Sequence, residues 1–178
     1  MGRPRRVPVW LPWEQAVVYF VTLCVNNRKP VLANPQTLAA LRTASTKLKH
    51  WRLLAAVLMP DHLHVLVTPS KDRAAKLSDF SAALKRWIRQ QLNAQWRWQS
   101  GCFDRLLRSD ESAQNKWFYI RENPVRAGLV SKWEDWPYQI GFDDNWGSAG
   151  GAPVLQQLNT MTVFLIRHLR KSVFMWLI

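Results

Sequence analysis

The stretch 51–68 constrains the fold most. Apolar and β-branched residues fill Trp51 to Met59, Pro60-Asp61 interrupts them, and His62-Leu-His-Val-Leu-Val-Thr68 resumes the pattern. Two strand-like runs joined by a Pro-Asp turn predict an antiparallel hairpin. Side chains alternate faces along a strand, so His62 and His64, one residue apart, project from the same side of that sheet.

The rest of the chain supplies the partners such a hairpin needs. Ala16 to Val25, rich in β-branched and aromatic residues and closed by Asn26-Asn27, predicts a central strand. Residues 35–49, with Leu38, Leu41 and Leu48 among polar positions, predict a helix. The longest helix is expected over 74–96, with Leu77, Phe80, Leu84, Trp87, Ile88 and Leu92 on one face and Lys85, Arg86 and Arg89 on the other. After Gly101 a short extended piece, 102–108, precedes a last helix. That helix should start near Ser109 or Asp110 and stop around Glu122, because Pro124 disfavours helical geometry at the residue before it. Strand, helix, strand, strand, helix and a further extended segment match an α+β, ferredoxin-like (RRM-like) antiparallel sheet with helices packed on one face. A fold of this kind hosts many chemistries, so function has to be argued from side chains. Residues 1–145 are expected to form this domain. Residues 146–178 read as a linker, Gly147 to Pro153, followed by a tail with the pattern of an amphipathic helix.

Charge narrows the partner. Lys and Arg total 25 against 12 Asp and Glu, a formal net charge of +13. No acidic residue occurs between Gln15 and Pro60, where Arg28, Lys29, Arg42, Lys47, Lys49 and Arg52 lie. Such a surface attracts polyanions, with nucleic acid the first candidate. The 11 Trp residues fit that partner, since aromatic faces among cations stack on unpaired bases; ordinary packing is the other use for each of them. Cys24 and Cys102 form no CxxC pair, which argues against a zinc knuckle or a disulfide framework and fits a reducing cytoplasm. The basic start is broken by Pro8, Pro12 and Glu14 where a signal peptide needs an apolar run, and the apolar stretch 161–178 is interrupted by Arg167, His168, Arg170 and Lys171. No membrane span is expected.

Two neutral imidazoles on one strand face can chelate a divalent cation, although a lone HxH on a strand is just as well two half-exposed histidines. A third ligand and a reactant come from the last helix, where Tyr119 and Asn123 stand at i and i+4 and share a face. The Asn123 amide oxygen can complete a His-His-Asn site, or the residue can cap the helix ahead of Pro124. Tyr119 is either a nucleophile beside the metal or a core aromatic alongside Trp117 and Phe118. A phenol with a pKa of about 10 is a poor nucleophile, and a metal that polarises the scissile phosphate lowers the demand on it. Asp61 either orients an imidazole or simply makes the Pro-Asp turn. Lys85, Arg86, Arg89 and Arg126 are candidate contacts to DNA phosphates, with plain solvated charge as the alternative.

Two long motifs then carry a resemblance. Met59-Pro-Asp-His-Leu-His-Val-Leu-Val67 and Tyr119-Ile-Arg-Glu-Asn-Pro-Val-Arg-Ala-Gly-Leu-Val130 resemble the REP-associated tyrosine transposases, a branch of the single-tyrosine HUH transposase family. Tyr19-Phe-Val-Thr22, Trp98-Gln-Ser-Gly-Cys-Phe-Asp104 and Trp136-Pro-Tyr138 follow the same family order, so the resemblance covers residues 13–140; Cys102 and the Trp-rich tail depart from it. The resemblance implies metal ligands at His62, His64 and Asn123, a nucleophile at Tyr119, Mg²⁺ or Mn²⁺ as cofactor and no nucleotide cofactor. It also implies a substrate of single-stranded DNA carrying palindromic REP-like hairpins, cut and rejoined through a 5′-phosphotyrosine, by a monomer or homodimer. The alternatives are a domesticated hairpin-binding protein that no longer cuts and a metal-dependent hydrolase in which water attacks.

Overall fold

The computed structural model describes residues 17–70, 74–107 and 113–142, all within the compact unit Met1–Asn145. The expected start of the last helix at Ser109 or Asp110 and the proposed tail 146–178 lie outside the described residues.

Five strands, β1 (Tyr19–Cys24), β2 (Trp51–Leu58), β3 (His62–Pro69), β4 (Phe103–Leu106) and β5 (Gln139–Ile140), form one antiparallel sheet in the order β4-β1-β3-β2-β5. The expected hairpin is β2–β3, and its second strand is the centre of the sheet. The helices are α1 (Pro35–Thr46), α2 (Leu77–Leu92), α3 (Ala113–Arg121) and the single turn α4 (Asn123–Arg126). Asn34 caps α1 by accepting a 2.8 Å hydrogen bond from the Thr37 amide, and Pro35 fills the first turn, where its missing N–H costs nothing. Asn93, with φ 45°, closes α2 in the left-handed conformation that asparagine tolerates better than most residues. The expected 35–49 and 74–96 shorten to Pro35–Thr46 and Leu77–Leu92, the second ended by Asn93.

Alternation sorts the strands into two faces. Val21, Leu23, Val25, Leu63, Val65 and Val67 meet Leu41, Ala44, Phe80, Leu84 and Ile88 of α1 and α2 in the larger core. Val18, Val57, Met59 and Leu66 face Trp117 and Ile120 of α3, together with Trp136, in the smaller one. In β2 the alternation changes phase at a bulge, where Leu53 pairs with Val67 and Ala55 with Leu66, leaving Leu54 as the extra residue. Leu54 and Ala55 consequently both face the α3 side.

Two expectations are corrected. The helices do not all pack on one face: α1 and α2 cover one side and α3 the other, because Trp117 and Ile120, at i and i+3, give α3 its own apolar stripe. The expected stop around Glu122 matches the end of α3 at Arg121, but the reason for it does not hold: Asn123, before Pro124, is helical, and Pro124 sits in the first turn of α4, where a proline needs no N–H partner. A short edge strand was missed as well: β5 follows Trp136-Pro-Tyr138 and pairs through Ile140 with Ala56 and through Gln139 with Val57. Among the described residues no helix is long and apolar enough to cross a membrane.

Candidate active site

His62 and His64 lie on the central strand, on the face covered by α3. Their Nε2 atoms are 3.1 Å apart and their rings meet edge to face. Each Nδ1 is held from behind. His62 Nδ1 donates to Asp61 Oδ1 at 2.6 Å, and His64 Nδ1 bonds Thr22 Oγ1 at 2.9 Å across the β1–β3 pair. A carboxylate only accepts, so the proton of neutral His62 resides on Nδ1 and its Nε2 lone pair faces His64. Burial, then the neighbouring His62 and the cations Lys116, Arg126 and Arg28, lower the His64 pKa to about 3 and keep that ring neutral near pH 7.

Asp61 does more than turn the chain, since Arg28 Nε sits 2.5 Å from its other oxygen, Oδ2. Arg28 reaches it from a left-handed backbone (φ 52°), next to Asn27 (φ 54°). A non-glycine residue in that region costs roughly 1–2 kcal/mol, and here the strain accompanies an ion pair behind a candidate ligand.

Tyr119 is not a core aromatic. It is 57% exposed, while its neighbour Trp117 is buried in the smaller core. Lys116 Nζ stands 4.8 Å from the Tyr119 ring centroid and 4.5 Å from that of Phe20, whose ring lies 5.2 Å from His64. On the other side the Arg126 guanidinium is 4.5 Å from the Tyr119 ring and donates to the Tyr119 carbonyl at 2.5 Å. The same guanidinium bonds the Asn123 side-chain oxygen. The structure thus brings together His62, His64, Asp61, Tyr119, Asn123 and Arg126.

The α2 cations are elsewhere. Lys85, Arg86 and Arg89 lie on a helix packed across the sheet from the histidines. Lys85 is 9% exposed, its ammonium donating to the Gln99 carbonyl at 2.6 Å and to that of Gly101, and burial pushes its pKa down. Arg89 donates to Trp96 and Ala94 carbonyls at 3.0 and 3.2 Å. These two are therefore corrected from DNA contacts to ties between α2 and the following loop; only Arg86 stays an exposed charge, 5.4 Å from the Trp87 ring. Sequence reasoning assigned no role to Thr22, Arg28 or Lys116, each of which completes the site through pairing across strands or between elements.

The fit to a divalent cation rests on the imidazoles. Two nitrogens about 2.1 Å from one cation and at right angles to each other are about 3.0 Å apart, close to the separation of the two Nε2 atoms. Among the described residues no group of three or more His, Cys, Asp and Glu side chains gathers to hold a metal; the Asn123 side-chain oxygen, the third ligand expected from the sequence, is held by Arg126.

No protein-family model matches the chain. Over 98 residues it is 34% identical to a Haemophilus influenzae protein assigned to the REP-associated tyrosine transposases, a match covering 48% of this chain and 56% of that protein. Over 133 residues it is 29% identical to the REP-associated tyrosine transposase of Escherichia coli K12, covering 71% of this chain and 77% of that one. Both relatives are REP-associated tyrosine transposases, and this chain is similar to them over these residues. The match thus spans little more than half of the Haemophilus relative. The ferredoxin-like fold of this chain is shared with the solved structure of a REP-associated tyrosine transposase bound to a REP hairpin, with a TM-score of 0.62, 21% identity and coverage of 86% of this chain and 96% of that one.

Proposed function

We propose that this protein cuts and rejoins single-stranded DNA beside palindromic hairpins, with Tyr119 as nucleophile and His62, His64 and Asn123 holding a divalent metal. The observation that carries the reading is the convergence of two back-tethered imidazoles at 3.1 Å beneath a helix that exposes Tyr119 between two cations. The REP hairpin bound by the solved family protein supports a hairpin as the partner.

The Tyr119 Oη attacks phosphorus, the bond to the 3′-oxygen breaks, and the products are a 5′-phosphotyrosine and a free 3′-hydroxyl. Lys116 and Arg126 flank the phenol and attract the phosphodiester to it, while Asp61 and Thr22 hold the imidazoles. A bound Mg²⁺ or Mn²⁺ would stabilise charge on the non-bridging phosphate oxygens. The second transesterification reverses the first with a different 3′-hydroxyl, so neither ATP nor water is consumed.

One observation favours a second reading, in which the protein grips hairpin DNA without cutting: the Asn123 oxygen is already engaged by Arg126. The test is incubation with Mn²⁺ and labelled single-stranded hairpin DNA, followed by a denaturing gel. The transesterase reading expects a slow-migrating adduct that disappears in Tyr119→Phe and with chelator. Binding without an adduct moves the assignment to the second reading, and repeated turnover without an adduct moves it to hydrolysis by water.

A further inference from the structure

Cross-strand register places one more aromatic on the face of the histidines. Val57 pairs with His64, His64 with Thr22, and Thr22 with Phe103, so these four side chains form a row across β2, β3, β1 and β4. The next row toward the N-terminus of β1 places Arg105 beside Phe20. Phe103 is 69% exposed, the most exposed of the large apolar side chains among the described residues. It stands on the outer strand of the sheet, two strands from His64, or roughly 10 Å at the usual spacing.

An exposed phenyl ring costs solubility and contributes little to a core it does not touch. Its position is well secured all the same. The Gln99 amide donates to the Cys24 carbonyl at 2.8 Å, Val25 bridges Trp98, and the buried Lys85 ammonium holds the Gln99 and Gly101 carbonyls. The segment leading into β4 is thus fixed to β1 and α2 at three points, which makes Phe103 a rigid platform.

We infer that Phe103 stacks an unpaired nucleobase of the DNA strand close to the scissile phosphate and so positions that strand on the site. The inference rests on the proposed single-stranded DNA substrate. The occupant follows from the surroundings: a phenyl face two residues from Arg105 on the same side of the strand, on the sheet face where Lys116 stands over Phe20 and Arg126 over Tyr119, in a chain of net charge +13, suits a ligand with flat apolar rings on a polyanionic backbone. Base–aromatic stacking tolerates any base and is lost on truncation to alanine.

The test uses the full chain carrying Tyr119→Phe, which keeps the strand intact, with hairpin oligonucleotides in which 2-aminopurine is moved one nucleotide at a time through the unpaired flank. Quenching is expected at one flank position, lost in Phe103→Ala and retained in Phe103→Trp, with affinity about tenfold weaker in the alanine variant, in the range that stacking of one base provides. Adduct formation by the chain with Tyr119 intact is scored in parallel. If that chain forms the adduct while Phe103→Ala leaves quenching and affinity unchanged, the inference is overturned and the proposed function stands. If Phe103→Ala instead abolishes self-association in sedimentation and leaves the DNA contact alone, Phe103 belongs to an interface between copies and the inference is overturned. If there is neither adduct nor binding, the functional reading fails and takes the inference with it.

Discussion

The two faces of the sheet are built to different standards. The side under α1 and α2 is a continuous apolar core in which Val21, Leu23, Leu63, Val65, Leu84 and Ile88 are almost wholly buried. Two of the α2 cations, Lys85 and Arg89, are tied to backbone carbonyls. The side under α3 has a smaller core and, at its open end, polar groups in strained or cation-flanked positions, including Arg28, Asp61, the histidine pair and Tyr119. One sheet therefore keeps its main core and the candidate site apart. Burial dominates the first face, while the second carries the cost of desolvating imidazoles and bending backbone.

The contrast can be broken with two substitutions. Tyr119→Phe should abolish the covalent adduct while changing stability by no more than about 0.5 kcal/mol, since it removes one exposed hydroxyl. Leu84→Ala, on the opposite face, should lower unfolding free energy by about 2–5 kcal/mol in urea titrations, with adduct formation per folded molecule unchanged. A Tyr119→Phe chain that melts far earlier, or a Leu84→Ala chain that is stable but inactive, would merge the two faces.

The comparison sharpens at Asp61. Asp61→Asn removes the carboxylate that fixes His62 and answers Arg28, and should weaken Mn²⁺ binding by about 10- to 100-fold in a paramagnetic resonance titration. An unchanged affinity would make Asp61 a turn residue only. The smallest effect separates the cations. Lys116→Ala should reduce the slope of log affinity for DNA against log salt by about 1 and weaken binding uniformly, whereas Arg89→Ala should leave the slope unchanged. Equal slopes for the two variants would mean that DNA also reaches the α2 side.

Much of this was legible in the sequence because period and turn chemistry are local. The hairpin around Pro60-Asp61, the shared face of His62 and His64 and the proximity of Tyr119 to Asn123 follow from residues a few positions apart. The face chosen by α3 was not legible, since Trp117 and Ile120 announce an apolar stripe without saying which side of the sheet receives it. Lys85 misled for a different reason: at helical spacing it reads as surface charge, but its long stem carries the ammonium inward to carbonyls 14 and 16 residues on. Thr22, Arg28 and Lys116 needed pairings across the fold that no single segment displays. The two-residue strand β5 is too short to have a period at all.

The bulge at Leu54 gives chain length in β2 a meaning separate from residue identity. Strict alternation would put Trp51 and Leu53 on one side and Ala56 and Leu58 on the other; the extra residue lets all four enter the same core. Changing the side chain at 54 alters one contact. Deleting the position instead removes the bulge: Leu53 and Ala55 become neighbours, the two faces alternate strictly, and Leu53, Ala56 and Leu58 stay in the larger core with Val57 still in the row it shares with His64. In this strand the number of residues is a quantity of its own: it exceeds what alternation needs by one, and the bulge is where the surplus is absorbed.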